Sequence, residues 1–199
     1  MVMIGVLHLY VNACINIKIS LYNMDIFTNL FFYVGSYGPL ILFILSTFLL
    51  WNYENLLFYY IIGLFGDSII NLVLKGLIQH PRPNEDINKF NLLVTHGKRF
   101  LFKDGIPYDI FGMPSGHAQS VLFSTVFIYL SLKNRDILYL YLFISSITIL
   151  QRINYNYHTT AQVIVGSIIG SIFAYFIYYL ARVKIKGRIT EKKDDYGPI

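Results

Sequence analysis

Charge is what this 199-residue chain has least of: Asp, Glu, Lys and Arg together make up 14% of it. Hydrophobic residues make up 55%, and the mean hydropathy is +0.53. A water-soluble domain of this length could not cover so much apolar surface, so the soluble classes are excluded. The chain has a single cysteine, Cys14, which rules out an internal disulfide. It has no Asn-x-Ser/Thr sequon, so glycosylation gives no clue to compartment. Nor does any carboxylate or cysteine cluster show metal-ligand spacing, so chemistry without metal or cofactor is expected. The basic tail is short and juxtamembrane, suited to anionic lipid headgroups and not to nucleic acid. There is no internal repeat and no low-complexity segment.

What is present is a series of long apolar runs. Residues 1–26 are apolar but carry no basic residue before Lys18, unlike a signal peptide, and are expected to form an interfacial or short membrane helix. Spans are then expected over about 27–51, which is long enough to cross a bilayer, and over about 56–78, 117–132, 137–153 and 158–180. The fold class is therefore an all-α integral membrane protein, an antiparallel bundle of five to six transmembrane helices. Residues 27–181 form the bundle, and 182–199 a basic cytoplasmic tail. Positive-inside counting puts that tail and the Lys133/Arg135 loop on the cytoplasmic side. Lys75, Arg82, His117, Arg152 and His158 then all fall on the opposite surface. Gly166 and Gly170 form a GxxxG pair, serving either close helix packing within the bundle or a dimer face.

Several polar residues interrupt the apolar pattern. Asp67, Asn71, Lys75 and Gln79 recur every four residues, one helical face that should point into the bundle because an ionisable group at mid-bilayer costs at least ~2.5 kcal/mol. Residues 79–113 read as a polar loop opening with QHPRP, whose prolines hold Arg82 near the end of the second span. His80 and His96 read as ordinary loop residues. The stretch Pro114-Ser115-Gly116-His117 then opens the third span. Serine is a good N-cap, glycine lets a ligand approach the backbone, and the first amides of a helix attract anions. Taken alone, it is equally a capped helix with an incidental histidine.

Together these residues suit phosphoryl transfer. Lys75, Arg82 and Arg152, with helix-start amides, can surround phosphoryl oxygens. Two histidines can divide the work, one attacking phosphorus and one protonating the leaving oxygen. Gln162 lies one turn after His158. If its amide oxygen accepts from Nδ1–H, the other ring nitrogen is free to attack.

Lys75 followed after six residues by Arg82-Pro83, PSGH at 114–117, and Arg152 followed after five residues by His158 resemble the three signatures of the type 2 phosphatidic acid phosphatase (PAP2) superfamily, in the right order. The resemblance covers about residues 56–180. It implies a helical bundle and a phosphohistidine intermediate, with His158 as nucleophile and His117 as general acid. It also implies that Lys75, Arg82, Ser115, Gly116 and Arg152 bind phosphate. Two positions depart from the usual pattern: Gln151 stands where serine precedes the arginine, and Gln162 where aspartate partners the histidine. GMPSxHxQ followed by YHTxxQ, carried by Gly112, Met113, Gln119, Tyr157, Thr159 and Gln162, looks like the dolichyl-diphosphatase branch, where glutamine is usual. In that branch serine commonly follows Pro-Ser, and here Gly116 does.

The reading is thus a lipid phosphatase cleaving a polyprenyl (dolichyl-type) diphosphate to the monophosphate and phosphate. If the branch holds, it sits in the endoplasmic reticulum with its site facing the lumen. The runner-up substrate is phosphatidate or another lipid phosphate. An alternative of another class is a non-catalytic lipid-binding scaffold that keeps the site residues.

Overall fold

The structure, a computed structural model, describes residues 2–103 and 105–188, with side chains over 26–183 apart from 103, 104, 106 and 107. The side chains of the N-terminal segment, His8 and Cys14 among them, and the tail beyond Arg188 lie outside the described residues. The order is α1 (Val2–Leu49), α2 (Glu54–Ile78), α3 (Ile87–Thr95), β1 (Phe100–Lys103), β2 (Ile106–Asp109), α4 (Gly116–Leu132), α5 (Arg135–Asn154) and α6 (Thr160–Arg188).

Four stretches are long and apolar enough to cross a membrane: Ile26–Leu49, Glu54–Ile78, Arg135–Asn154 and Thr160–Val183. Their surface is inverted relative to a soluble protein. On α2, Phe65 and Ile69 are 69% and 61% exposed, while Asp67 between them is 0% exposed. Apolar side chains facing outward and ionisable ones inward are stable only where the solvent is lipid. The chain is an integral, multi-pass membrane protein.

The remaining long helix, α4, is the axis of the bundle. It has 17 residues, about 26 Å at 1.5 Å per residue. It is buried on several sides and packs against α1, α2, α5 and α6. Glycines permit this closeness. A Cβ on Gly166 would lie 2.5 Å from the Ser115 carbonyl oxygen, and one on Gly170 would collide with the Gln119 backbone. The GxxxG pair of α6 thus serves packing against α4. In the half away from the PSGH end, Phe123, Phe127, Tyr60 and Ile177 form the apolar core. Its hydroxyls are paired: Tyr60 with Ser124, and Ser46 with Tyr141, both at 2.9 Å.

Local chemistry sets the helix ends. Lys133 closes α4 in the left-handed region (φ 50°), and the Asn134 side chain accepts from the amides of Asp136 and Ile137 to start α5. Such a short connection forces α5 back antiparallel.

Two expectations are corrected. The segment 79–113 is not merely a loop. It folds as α3 and an antiparallel hairpin pairing Phe100 with Asp109 and Leu101 with Tyr108, over a small core of Phe90, Ile110 and Phe111. Asp86 caps α3 by accepting from the amides of Asn88 and Lys89. Gln79 does not share the inward face of Asp67, Asn71 and Lys75. It is exposed, in the left-handed region (φ 49°), and ends α2 by donating its amide to the Lys75 carbonyl.

Candidate active site

The polar residues of α2 are held by α4. The Gln119 amide nitrogen donates to the backbone carbonyl and Oδ1 of Asp67 (2.8 and 2.9 Å), and its Oε1 accepts from Asn71 Nδ2 (2.8 Å). This buried clamp fixes α2 against the start of α4, and with it Lys75, one turn beyond Asn71. Lys75 is 7% exposed and lies 3.8 Å from Asp109, whose carboxylate also takes two bonds from Arg99.

Arg82 comes from the segment after α2, bridged antiparallel to the stretch before α4 through Pro81 and Phe111. Its Nε donates to the Asp109 carbonyl (3.0 Å), and its guanidinium lies over the Tyr108 ring. One terminal nitrogen reaches the Tyr157 carbonyl (3.3 Å) and His158 Nε2 (3.4 Å).

His158 is not on α6, as the spacing to Gln162 suggests, but in the turn before it. The alignment comes from a capping box. Thr159 Oγ1 accepts from the Gln162 amide, and Gln162 Oε1 accepts in return from the Thr159 amide (3.1 Å) and from His158 Nδ1 (3.1 Å). The tautomer follows from both sides of the ring. Nδ1 must carry the proton to bond an amide oxygen, and Nε2 must be bare to accept from Arg82. Burial, then the charges of Arg82 and Lys75, push His158 from 6.5 down to about 3, so the ring is neutral at physiological pH.

His117, in the first turn of α4, faces the other arginine. Its Nε2 lies 3.2 Å from the Ser36 carbonyl, and one Arg152 terminal nitrogen approaches both ring nitrogens, 2.9 Å from Nδ1, while the guanidinium lies over the Tyr157 ring. Gln151, the departure from the usual serine, packs against Gly35 and donates to Ser36 Oγ (3.1 Å), fastening α5 to α1 beneath this histidine.

Ser115 occupies the N-cap of α4 without using its side chain for capping. Its amide donates to the Gln162 carbonyl (3.0 Å), while its hydroxyl is buried and unpartnered, as is Arg152 Nε. The Gly116, His117 and Ala118 amides have no acceptor within the helix. An open cleft of about 450 Å³ adjoins Gly116 and His117, lined by Ser36, Leu40, Asn71 and Ser120, among others, of α1, α2 and α4.

The residues singled out from the sequence therefore meet at one end of the bundle: Arg82, His158 and Gln162 in one bonded group, His117 and Arg152 in a second, joined through Tyr157, with Lys75 and Ser115 alongside. The cations Lys75, Arg82, Arg99 and Arg152 surround it, with Asp109 the carboxylate paired among them. Such a set suits an anion better than a divalent cation, and no group of three His, Cys, Asp or Glu able to hold a metal occurs among the described residues. No local sequence pattern marks Asp109, Arg99 or His80 as contacts of this cluster.

Residues 56–186, which carry these side chains, match a known family: the chain belongs to the PAP2 superfamily. Among curated proteins it is similar to Lipid phosphate phosphatase epsilon 1, chloroplastic, of Arabidopsis thaliana, at 28% identity over 141 residues. That match covers 67% of this chain and 43% of the relative. The epsilon 2 protein of the same plant is 27% identical over 138 residues, covering 65% of this chain and 41% of the relative. The chain thus spans about two fifths of the length of these relatives. Among solved structures, a transmembrane PAP2 type phosphatidylglycerolphosphate phosphatase from Bacillus subtilis aligns with 81% of this chain and 88% of its own, at 17% identity and a TM-score of 0.48.

Proposed function

We propose that this protein is a membrane-embedded lipid phosphatase working through a phosphohistidine on His158. The observation that carries the reading is the His158 ring, whose Nδ1–H is held by Gln162 and whose bare Nε2 faces Arg82. A neutral imidazole so fixed has one available lone pair, turned toward the cations that would hold a phosphoryl group.

The reaction then runs as follows. Phosphate oxygens take up the donors of Arg82, Arg152, Lys75, the Ser115 hydroxyl and the first amides of α4. Once Arg152 turns to the anion, His117 is free to take up a proton. The Nε2 lone pair of His158 attacks phosphorus, the bond to the leaving oxygen breaks, and His117 gives that oxygen its proton. Water, losing a proton to His117, then attacks phosphorus, and the phosphorus–nitrogen bond breaks, releasing inorganic phosphate and restoring His158. Gln162 bonds the imidazolium-like intermediate with a neutral acceptor, which stabilises charge less than a carboxylate would.

The substrate favoured by the GMPSxHxQ and YHTxxQ pattern is a polyprenyl diphosphate, cleaved to the monophosphate and phosphate. A glycine at 112 fits that pattern physically, because a Cβ there would lie 2.7 Å from Gln162 Nε2. The names of the plant relatives favour the second reading, phosphatidate or another lipid phosphate. The site would face away from the cytoplasm, lumenal if the membrane is the endoplasmic reticulum.

The test is phosphate release by detergent-purified protein from dolichyl diphosphate, undecaprenyl diphosphate and phosphatidate. Activity lost in His158→Ala and His117→Ala, with folding retained, supports the enzyme. Release from none of the three would leave the scaffold reading, and preference within the panel decides the substrate.

A further inference from the structure

Gln162 has a requirement that an aspartate in its place would not have: two amide hydrogens that must be kept away from His158. If the amide turned over, its NH₂ would meet the Thr159 amide and His158 Nδ1. His158 would then have to carry its proton on Nε2, the nitrogen that attacks. The structure gives both hydrogens an acceptor. Gln162 Nε2 lies 2.8 Å from the Pro81 carbonyl oxygen and 2.9 Å from His80 Nδ1. On the opposite side, Oε1 receives the Thr159 amide and His158 Nδ1. The Thr159 amide can only donate and the Pro81 carbonyl can only accept, so both favour this orientation, and His80 offers the second amide hydrogen its acceptor.

His80 Nδ1 also lies 2.9 Å from the Pro81 carbonyl. A proton on Nδ1 would bond that oxygen and oppose the Gln162 hydrogens. With Nδ1 bare and the proton on Nε2, both Gln162 hydrogens have an acceptor, and the contact of Nδ1 with the Pro81 carbonyl is between two acceptors that share those hydrogens. The segment carrying it is anchored, since the His80 carbonyl accepts from the Gly112 amide at 2.7 Å.

We propose that His80 is a positioning residue: by accepting from the Gln162 amide, it holds that amide in the one orientation that keeps His158 in its nucleophilic tautomer. This rests on His158 being the nucleophile, and it explains how glutamine can serve where a carboxylate is usual.

The experiment pairs His80→Leu, which removes the acceptor, with His80→Asn, which keeps one near the place of Nδ1. His80 is exposed, so neither change opens the core. With phosphatidate and a polyprenyl diphosphate in mixed micelles, His80→Leu should lower kcat by about five- to tenfold, the scale of one neutral hydrogen bond, with KM within about twofold. His80→Asn should recover most of the loss. In a Gln162→Ala background His80→Leu should cost nothing further, since there is no amide to hold.

Losses that add in the double variant, a rise in KM in place of the fall in kcat, or an unchanged His80→Leu would overturn the proposal. A readout free of turnover is the ¹⁵N resonance of the His158 ring: the Nδ1–H form in the wild type, and a shift toward the Nε2–H form in His80→Leu. An unmoved spectrum refutes the positioning role even if neither lipid is hydrolysed. Full activity of His158→Ala would instead refute the nucleophile assignment.

Discussion

The perturbation that most directly joins the fold to the chemistry is Gly166→Ala. The added Cβ would sit 2.5 Å from the Ser115 carbonyl oxygen and 3.2 Å from its nitrogen, where ordinary contact begins at 3.4 Å. Both atoms are backbone, so no side chain can turn aside, and α6 and α4 must part by about 0.9 Å at the N-cap of α4. Overpacking of this kind costs ~1–3 kcal/mol. The same movement stretches the bond from the Ser115 amide to the Gln162 carbonyl, which registers the PSGH turn against His158. Misplacing reacting groups by about 1 Å can cost ~100-fold in rate, so kcat/KM should fall by about two orders of magnitude. The assay is phosphate release in detergent beside a melting curve on the same preparation. Ile168→Ala, on the lipid-facing side of the same helix, is the control and should keep its activity. Wild-type turnover in Gly166→Ala would refute the claim that the α4–α6 contact sets the spacing of the site.

Ser115→Ala should move activity and stability in opposite directions. It removes a buried, unpartnered hydroxyl worth a penalty of ~1–3 kcal/mol, so the melting temperature should hold or rise. It also removes a donor to phosphate, so kcat/KM should fall by at least about tenfold, as for a hydrogen bond to a charged group. A pH series tests His158. Its folded value near 3 lies below the ordinary 6.5, so the unfolded chain binds a proton that the folded chain does not, and stability should decline as pH drops from about 6.5 toward 3. His158→Gln should lose that component of the decline, and a curve identical to the wild type would contradict the buried neutral ring. Chelation should leave phosphate release unchanged, because the charged groups around the site are chiefly cations; strong inhibition by EDTA would overturn the metal-free mechanism.

The sequence was legible where a strong physical penalty shaped it. Ionisable residues cannot face lipid, so the four-residue recurrence of Asp67, Asn71 and Lys75 revealed the inward face of α2. Gln79 broke the pattern because a helix end obeys backbone capping, which the periodicity does not carry. The 79–113 segment looked structureless because α3 is short and its small core uses only Phe90, Ile110 and Phe111. A cue was present in Asp104-Gly105, a hairpin turn pair between β-rich tetrads. His158 and Gln162 were paired correctly, but for a different reason: the link is the Thr159–Gln162 capping box, which Thr-x-x-Gln spells out. The contacts of His80 with Gln162 and of Asp109 with Lys75 could not be found this way, since these partners lie 82 and 34 residues apart in the chain.

The left-handed turn at Gln79 makes the interval from Lys75 to Arg82 a mechanical gauge. One residue added between Lys75 and that turn would swing the following segment by about 100° and carry it about 1.5 Å along the axis. Arg82, Pro81 and His80 would leave their partners together, though none of them had been altered. Chain length there is therefore under tighter constraint than side-chain identity. The hairpin tip at Gly105, where an added Cβ meets nothing within 4 Å, should accept insertions freely.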